Sequence, residues 1–426
     1  NAITLATATN DFIGAVSATG SNITLRDANT IDLAAVTDAG TLDITANAID
    51  LNGITSANAI DFDATGGAGD ITQTAGTLTV TTTSTLATDA ASSITLNQAN
   101  DFQGAVAIGS GVNATLVDTN TIDLGAVAVT GLLDITANAI DLNGVTSANA
   151  IDLDASSGAG DITQTAGTLS VTTTSALALA AGDNIQLDRA GNSFGGAVTI
   201  SGTDATSNIA LLDSTALAIQ AAGLTSNNLT ITAAGITQGA GAITVNGLST
   251  LTSTGGNAIT LATATNDFIG AVSATGSNIT LRDANTIDLA AVTDAGTLDI
   301  TANAIDLNGV TSANAIDLDA TGGAGDITQT AGTLTVTTTS TLATDAASSI
   351  TLNQANNFQG AVGIGSGVNA TLVASNTIDL GAVAVTGLLD ITANAIDLNG
   401  VTSANAIDLD ATGGAGDITQ TAGTLT

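Results

Sequence analysis

The amino-acid sequence repeats itself almost letter for letter after 256 residues. Residues 257–426 match residues 1–170 at all but nine positions, among them Ile54, which becomes Val310, and Asp118, which becomes Ala374. Repetition on this scale is typical of an elongated stack in which each structural unit packs only against its neighbours. It therefore favours a mechanical or adhesive protein over an enzyme.

A shorter period divides this 256-residue super-repeat into blocks. An apolar–polar–apolar triplet marks the start of each block, at Ile3, Ile94, Ile185, Ile259 and Ile350. The blocks are residues 3–93, 94–184, 185–258, 259–349 and 350–426. A Phe follows each marker triplet, and we expect it to fill the core rather than to line a ligand site.

A still finer period predicts the fold. Similar triplets follow one another every 16 to 20 residues within the first block, starting at Ile3, Ile23, Leu42, Ile60 and Leu78. Alternation of apolar and polar residues indicates β-strands, and the Gly, Asn and Asp between triplets indicate turns. We therefore predict an all-β parallel β-helix, or β-solenoid, of about 23 rungs of 14–24 residues, continuous over residues 1–426.

The alternative all-β fold is a tandem array of antiparallel sandwiches. Sandwich domains repeat near ~100 residues, which suits the block length. The internal repetition at 18–20 residues does not suit it. The solenoid is the better prediction because each rung can hydrogen-bond to the rungs above and below, which the absence of Pro permits.

The composition removes most catalytic chemistry. The chain has no Cys, His, Lys, Tyr or Glu, and its 38 acidic residues are all Asp. Catalysis by a base, a nucleophile or a metal cluster usually draws on the missing residue types. Paired Asp residues can hydrolyse glycosidic bonds, but here the Asp positions recur from block to block. We predict no enzyme activity, no catalytic residue and no organic cofactor.

The charge excludes two classes of partner. The net charge is −35, with Arg26, Arg189 and Arg282 as the only basic residues. Nucleic acids and anionic lipid surfaces should be repelled by such a chain. No apolar run approaches the ~18 residues that a membrane helix needs, so we predict no membrane insertion.

The repeat style resembles that of filamentous-haemagglutinin-like exoproteins, the large secreted adhesins and related giant bacterial surface proteins. Two segments carry the resemblance: Ala258-Ile259-Thr260-Leu261 followed by residues 266–272, and Leu42-Asp43-Ile44-Thr45-Ala46 with its copy from Leu298. The resemblance implies a right-handed parallel β-helix, secretion across the outer membrane and display at the cell surface. We therefore expect an extracellular, non-enzymatic structural protein of a surface fibre, sheath or filament. The alternative is an adhesin that binds glycans of host or neighbouring cells through exposed Thr, Asn and Asp.

Asp residues occupy outward positions of consecutive rungs, so that stacking in register would pair them. The predicted pairs are Asp43 with Asp61, Asp32 with Asp50, Asp134 with Asp152, Asp123 with Asp141, Asp299 with Asp317, Asp288 with Asp306, Asp390 with Asp408, and Asp379 with Asp397. One interpretation is a solvated face whose charge keeps a fibre soluble and opposes sideways sheet pairing. The other is that the pairs collect Ca²⁺ through carboxylate oxygens.

Three further expectations concern assembly, chain length and the Thr-rich surface. Because an end rung of a solenoid is an unpaired sheet edge, we expect copies to self-associate into fibres. The first residue is not Met and the last repeat stops mid-pattern, so we expect a segment of a longer chain. The Thr-rich runs at Thr79, Ser170 and Thr335 fall at least five rungs apart, which argues against a regular Thr array for binding ice.

Overall fold

The computed structural model describes residues 1–220 and 223–426. It contains two compact units, Asn1–Gln220 (unit 1) and Ala221–Thr426 (unit 2). Each unit is built from parallel strands that stack as a β-solenoid, and the chain makes about 21 turns in total with almost no helix. The predicted fold class is thus confirmed, whereas continuity of one solenoid over the whole chain and its right hand stay predictions.

The strands of unit 1 are β1 (Ile3–Leu5), β2 (Val16–Gly20), β3 (Ile23–Arg26), β4 (Thr30–Thr45), β5 (Ala48–Leu51), β6 (Thr55–Ala64), β7 (Ile71–Gln73), β8 (Leu78–Val80), β9 (Ser84–Thr88), β10 (Ile94–Phe102), β11 (Val106–Ser110), β12 (Ala114–Asp118), β13 (Thr121–Ala128), β14 (Leu132–Thr136), β15 (Ala139–Leu142), β16 (Thr146–Ala148), β17 (Ala150–Ala155), β18 (Ile162–Thr163), β19 (Leu169–Val171), β20 (Ser175–Leu179), β21 (Ile185–Leu187), β22 (Ser193–Phe194), β23 (Ala197–Ser201), β24 (Asn208–Leu212) and β25 (Leu217–Ile219).

The described strands of unit 2 are β26 (Leu224–Ser226), β27 (Asn228–Ala233), β28 (Ile236–Gln238), β29 (Ile243–Val245), β30 (Ser249–Ser253), β31 (Ile259–Leu261), β32 (Asp267–Phe268), β33 (Val272–Gly276), β34 (Ile279–Arg282), β35 (Thr286–Thr301), β36 (Ala304–Leu307), β37 (Thr311–Ala320), β38 (Ile327–Gln329), β39 (Leu334–Val336), β40 (Ser340–Thr344), β41 (Ile350–Phe358), β42 (Ala361–Ser366), β43 (Ala370–Ala374), β44 (Thr377–Ala384), β45 (Leu388–Thr392), β46 (Ala395–Leu398), β47 (Thr402–Ser403), β48 (Ala406–Asp410) and β49 (Ile418–Gln420). A single 3₁₀ turn covers Thr254–Gly256.

The core consists of the inward residues of each strand. In β3, Ile23 and Leu25 are fully buried while Thr24 and Arg26 between and after them face outward. Each fully buried Ile or Leu contributes about 1.5–3 kcal/mol relative to exposure, so the stacked apolar residues dominate stability. Four of the five Phe residues that follow a block marker, Phe102, Phe194, Phe268 and Phe358, are buried as predicted. Phe12 of the first block is only partly buried, so the prediction is not met there.

Parallel pairing links equivalent triplets from turn to turn. In unit 1, one ladder runs through Ile3, Ile23, Leu42, Ile60 and Ser84, each paired with the next. A second ladder runs through Ile31, Ile49, Ile71 and Ile94, and a third through Ile122, Ile140, Ile162 and Ile185. The pairings of Ile3 with Ile23, of Ile23 with Leu42 and of Leu42 with Ile60 are those that the triplet spacing predicts.

The block markers do not lie above one another. Ile3, Ile94 and Ile185 open three successive blocks, yet they belong to the three different ladders of unit 1. Four turns that start at Ile3 end at Ser84, ten residues before Ile94. A block therefore does not contain a whole number of turns, and each block presents its sequence one face further round the coil than the block before.

The predicted rung spacing is wrong at the fourth step. Leu78 pairs with Thr55 and not with Ile60, which instead pairs with Ser84, 24 residues later. The turn is long because residues 65–70 form an extra loop between β6 and β7. Longer turns of this kind reduce the number of turns from the predicted value of about 23 to about 21.

Close stacking at one corner explains a recurring glycine. A Cβ on Gly53 would lie 1.1 Å from the backbone oxygen of Ala34 in the preceding turn. Gly309 stands in the same relation to Ala290 in unit 2. Only glycine allows the backbones to approach this closely at the corner before β6 and β37.

Candidate functional site

The chain's strongest chemical feature is the set of outward Asp residues, and the structure stacks them as predicted. All eight Asp pairs are direct partners on adjacent parallel strands. Adjacent strands lie about 4.7–4.9 Å apart, so each pair brings two carboxylates within a short distance. Like charges placed in this way destabilise the sheet by a fraction of ~1 kcal/mol per pair unless another group compensates them.

In two places an arginine provides that compensation. Arg26 binds Asp43 with both terminal nitrogens, Nη1 to Oδ1 at 2.9 Å and Nη2 to Oδ2 at 3.0 Å. Arg282 binds Asp299 in the same way in unit 2, with both distances 2.9 Å. This bidentate geometry is the strongest form of the Arg–carboxylate interaction.

The Asp134–Asp152 and Asp390–Asp408 pairs lack an equivalent arginine. Val117 pairs with Thr136, just as Arg26 pairs with Thr45, so Val117 occupies the arginine position beside Asp134. Val373 does the same beside Asp390. In unit 1, Asp134 has instead a long hydrogen bond of 3.4 Å from the Thr115 hydroxyl.

Burial, together with repulsion from neighbouring carboxylates, raises the pKa of the second member in three of these pairs. Burial raises the pKa of Asp61, and the nearby carboxylates of Asp43 and Asp63 raise it further, while Arg26 acts in the opposite direction. Burial also raises the pKa of Asp152, with additional repulsion from Asp134 and Asp154. The pKa of Asp317 is raised by the same causes as that of Asp61. Burial also raises the pKa of Asp134, the first member of its pair.

The other four pairs sit in a different network. Asp50 accepts hydrogen bonds from the hydroxyls of Thr72 and Thr74, each at 3.1 Å. Its partner Asp32 accepts a long bond of 3.5 Å from Asn52 through one oxygen, while its other oxygen is buried without a hydrogen-bond partner. The same unpartnered oxygen recurs in Asp123, Asp288 and Asp379.

The suitability of the pairs for a metal ion remains a prediction. Ca²⁺ takes six to eight oxygen ligands, and a pair of carboxylates offers at most four. Among residues 1–220 and 223–426, no group of three or more acidic side chains is arranged to hold a metal ion. Any bound cation would therefore have to keep a large part of its water shell.

A second set of Asp residues, which the sequence did not lead us to predict, accepts backbone hydrogen bonds in the interior of the fold. The side chain of Asp38 is only 3% exposed and accepts backbone N–H bonds from Asn22, Ile23 and Gly40 at 2.7–2.8 Å. Asp118 accepts from the backbone N–H of Phe102 at 2.7 Å and of Asn120 at 2.6 Å. An Asp two residues before a turn Asn or Gly is the sequence signal that could have identified them.

Buried amide pairs are a third recurring element that the sequence reasoning missed. Asn100 and Gln73 exchange hydrogen bonds of 2.7 Å and 3.0 Å, and Asn100 also accepts the backbone N–H of Leu78. Matching pairs join Gln164 to Asn192, Gln238 to Asn266 and Gln329 to Asn356. Each pair satisfies the polar groups where the chain leaves one face for the next.

The most apolar recess described lies on the surface of unit 2. It has a volume of about 380 Å³ and is lined by small side chains, including Gly363, Gly365, Ala382 and Val401. Gly363 stands where the first super-repeat has Ala107. Separately, none of the helical structure among the described residues is long and apolar enough to cross a bilayer.

Comparison with known proteins identifies the repeats. A family model described as repeats of unknown function (DUF5649) matches residues 20–68, 45–109, 136–201, 206–275 and 300–365. No curated protein and no solved structure matches the chain. The matched segments cover more than half of the sequence, so the chain belongs to the family of repeats of unknown function, DUF5649.

Proposed function

We propose that this chain is a structural repeat segment of an extracellular fibre, sheath or filament at a bacterial cell surface, of the filamentous-haemagglutinin-like kind. The observation that carries the proposal is the in-register ladder of parallel strands within each unit. Backbone hydrogen bonds and apolar side chains repeat from turn to turn, so length can be added without redesigning the core. A protein whose role is to extend benefits from such a plan.

The surface chemistry supports the same role. Polar and acidic side chains occupy the outward positions, with a net charge of −35. Such a surface stays hydrated and opposes non-specific side-by-side association of β-structures. Self-association into fibres then has to use ends or charge-free faces rather than the stacked Asp pairs, which we call the acidic columns.

Electron microscopy and fibre diffraction of the purified chain and of native surface material test the proposal. We expect extended particles or fibres with an axial repeat of about 4.8 Å from stacked strands. Globular particles without that repeat would refute the structural role. A glycan array measured in parallel distinguishes the adhesin alternative, because specific saturable binding to defined glycans would favour adhesion over a purely structural role.

A further inference from the structure

One face of unit 2 carries outward hydroxyl groups in consecutive turns. The side chains form two columns, which together we name the hydroxyl face. The longer column contains Thr232, Thr252, Thr275, Thr293, Ser312 and Thr335. The shorter column contains Thr230, Thr250 and Ser273, and Ala291 follows in the next turn.

The backbone fixes these side chains as a grid. Along β30, Thr250 and Thr252 point outward while Leu251 between them is only 1% exposed. Residues two apart on a strand are separated by about 6.6 Å, and adjacent strands by about 4.8 Å. Thr is also stiff about χ1 because it is β-branched, so the seven Thr side chains of the face are restricted before any ligand arrives, unlike Ser273 and Ser312.

The hydroxyls of this face are not used by the protein itself. None of the nine Thr and Ser side chains of the two columns hydrogen-bonds to another residue within 1–220 or 223–426. Hydroxyls on the acidic columns behave differently: Thr72 donates to Asp50, and Thr163 donates to Asp141, each at 3.1 Å. The hydroxyl face therefore offers its full hydrogen-bonding capacity to the solvent.

The face is also free of charge. No ionisable side chain occupies either column between Thr230 and Thr335. At the corner where its strands begin, Leu248, Ile269 and Val310 are 62%, 56% and 60% exposed. Each Thr adds a methyl group beside its hydroxyl, so the face combines apolar area with regularly spaced hydrogen-bonding groups.

We propose that the hydroxyl face binds ice. A two-dimensional grid of uncharged hydroxyls and methyls fits a ligand that itself repeats in two dimensions, and the strand spacing is close to the oxygen repeat of the ice lattice. Charged side chains would organise their own hydration shells against that lattice, and this face has none. Because the grid is preorganised, little side-chain entropy is lost on binding.

Unit 1 carries a shorter version of the same column. Thr19, Thr37, Ser56 and Thr79 stack in consecutive turns. The next residue of that column is Asp101, whereas Asn357 follows Thr335 in unit 2. The charged residue limits the unit 1 column, and unit 2 provides the larger binding surface.

This inference is independent of the proposed structural role. The Thr-rich runs at Thr79 and Thr335 are indeed widely separated, and each contributes only one residue to its column. The remaining members come from triplets with different local sequences, such as Ser273-Ala274-Thr275 and Leu251-Thr252-Ser253. Their alignment depends on turns of unequal length and is visible only in the strand register.

The test measures ice affinity of the 426-residue chain directly. Ice is grown slowly from a dilute solution, and the fraction of protein included in the ice is compared with that of a non-binding acidic protein. Inhibition of ice recrystallisation is followed by microscopy of the same samples. We expect inclusion and inhibition for the wild-type chain, and exclusion from ice equal to that of the control protein would overturn the proposal.

Matched variants assign the activity to the face. Thr252→Tyr with Thr275→Tyr places bulky groups in the centre of the longer column and should abolish inclusion. Thr341→Tyr is the control, because Thr341 is also exposed in unit 2 but stacks between Asp317 and Gly363 on another face. Equal loss in both variants, or no loss in the first, would contradict the assignment.

A more conservative double variant tests the same assignment if the tyrosine variants do not fold. Thr252→Val with Thr275→Val keeps the β-branched shape and removes two hydroxyls, with folding checked by circular dichroism. We expect reduced inclusion in ice at an unchanged melting temperature. Inclusion equal to wild type would show that the hydroxyl grid is not the binding element. Failure of any of these tests would leave the fibre proposal untouched, since that proposal rests on the in-register strand ladder and does not require ice binding.

Discussion

Asp61 lies directly beside Asp43 on the next turn, and Arg26 binds Asp43 but makes no ion pair with Asp61. One carboxylate of the pair is compensated while the other faces it with its pKa raised by burial and by its acidic neighbours. The same arrangement recurs at Asp299 and Asp317 with Arg282. The acidic columns therefore contain a built-in asymmetry that several measurements can detect.

The first prediction concerns pH. Because the pKa of Asp61, Asp152 and Asp317 is raised above the ordinary 3.8, the folded chain binds protons more readily than the unfolded chain. Their contribution to stability is fully present below pH 3.8 and is lost as the pH rises through the raised values. We expect the melting temperature to increase when the pH is lowered from neutral towards that window.

The variant Asp61→Asn with Asp152→Asn and Asp317→Asn provides the control. It should melt at a higher temperature than wild type at neutral pH and show a weaker dependence on acidification. Exposed Asp204, Asp345 and Asp410 have a lowered pKa and act in the opposite direction, so they are left unchanged in both proteins. Parallel pH profiles for variant and wild type would contradict the prediction.

The second prediction concerns the arginine that binds Asp43 and Asp299 but is replaced by valine beside Asp134 and Asp390. Val117→Arg places a guanidinium next to Asp134, in the position that Arg26 has next to Asp43. We expect stabilisation of up to about 1 kcal/mol, the upper range for a partly exposed ion pair. Arg26→Ala should destabilise by a similar amount. Chemical denaturation measures both, and Arg189→Ala, which removes a cation without a described ion pair, is the comparison.

The third prediction addresses the buried amide pair. Asn100→Ala removes the amide that exchanges hydrogen bonds with Gln73 and the acceptor for the Leu78 N–H. Each buried polar group left without a partner costs about 1–3 kcal/mol, so we expect a loss of at least that size. Asn97→Ala, at an exposed position of the same strand, should change the unfolding free energy little. Equal effects of the two substitutions in denaturant titrations would show that the amide pair is dispensable.

The fourth prediction concerns cations. The two carboxylates of each Asp pair repel each other. A divalent ion held between them would reduce that repulsion more than sodium does at equal ionic strength. We expect added Ca²⁺ to raise the melting temperature and a chelator to reverse the change. Asp50→Asn with Asp141→Asn, Asp306→Asn and Asp397→Asn should reduce the response. A melting temperature that ignores both calcium and chelator would rule out the cation hypothesis.

The fifth prediction concerns association. If charge keeps the acidic columns of neighbouring copies apart, salt should allow closer approach, because a Debye length of about 10 Å at 0.1 M shrinks to about 3 Å at 1 M. Sedimentation velocity should therefore show larger species as sodium chloride increases. A distribution of species that does not change with salt would indicate that charge does not control assembly.

The class of fold and the neighbours of most strands follow from the amino-acid pattern alone. The alternation in triplets such as Ile3-Thr4-Leu5 decides which side chains are buried, and the recurrence of these triplets decides that strands pair in parallel. For that reason the partners within each Asp pair, such as Asp134 with Asp152, follow from the spacing of the triplets alone. Strand periodicity is local, so it can be read from a single chain.

The lengths of successive turns, in contrast, could not be predicted from local patterns and became known from the folded chain. Leu78 looks like the next rung after Ile60, but a loop at residues 65–70 moves it to another face. The same unequal turns rotate Ile3, Ile94 and Ile185 onto different ladders and align Thr252, Thr275 and Thr293 in one column. Register between distant segments depends on the accumulated length of every loop between them, and that sum is fixed by backbone hydrogen bonding in three dimensions and not by any local pattern of residues.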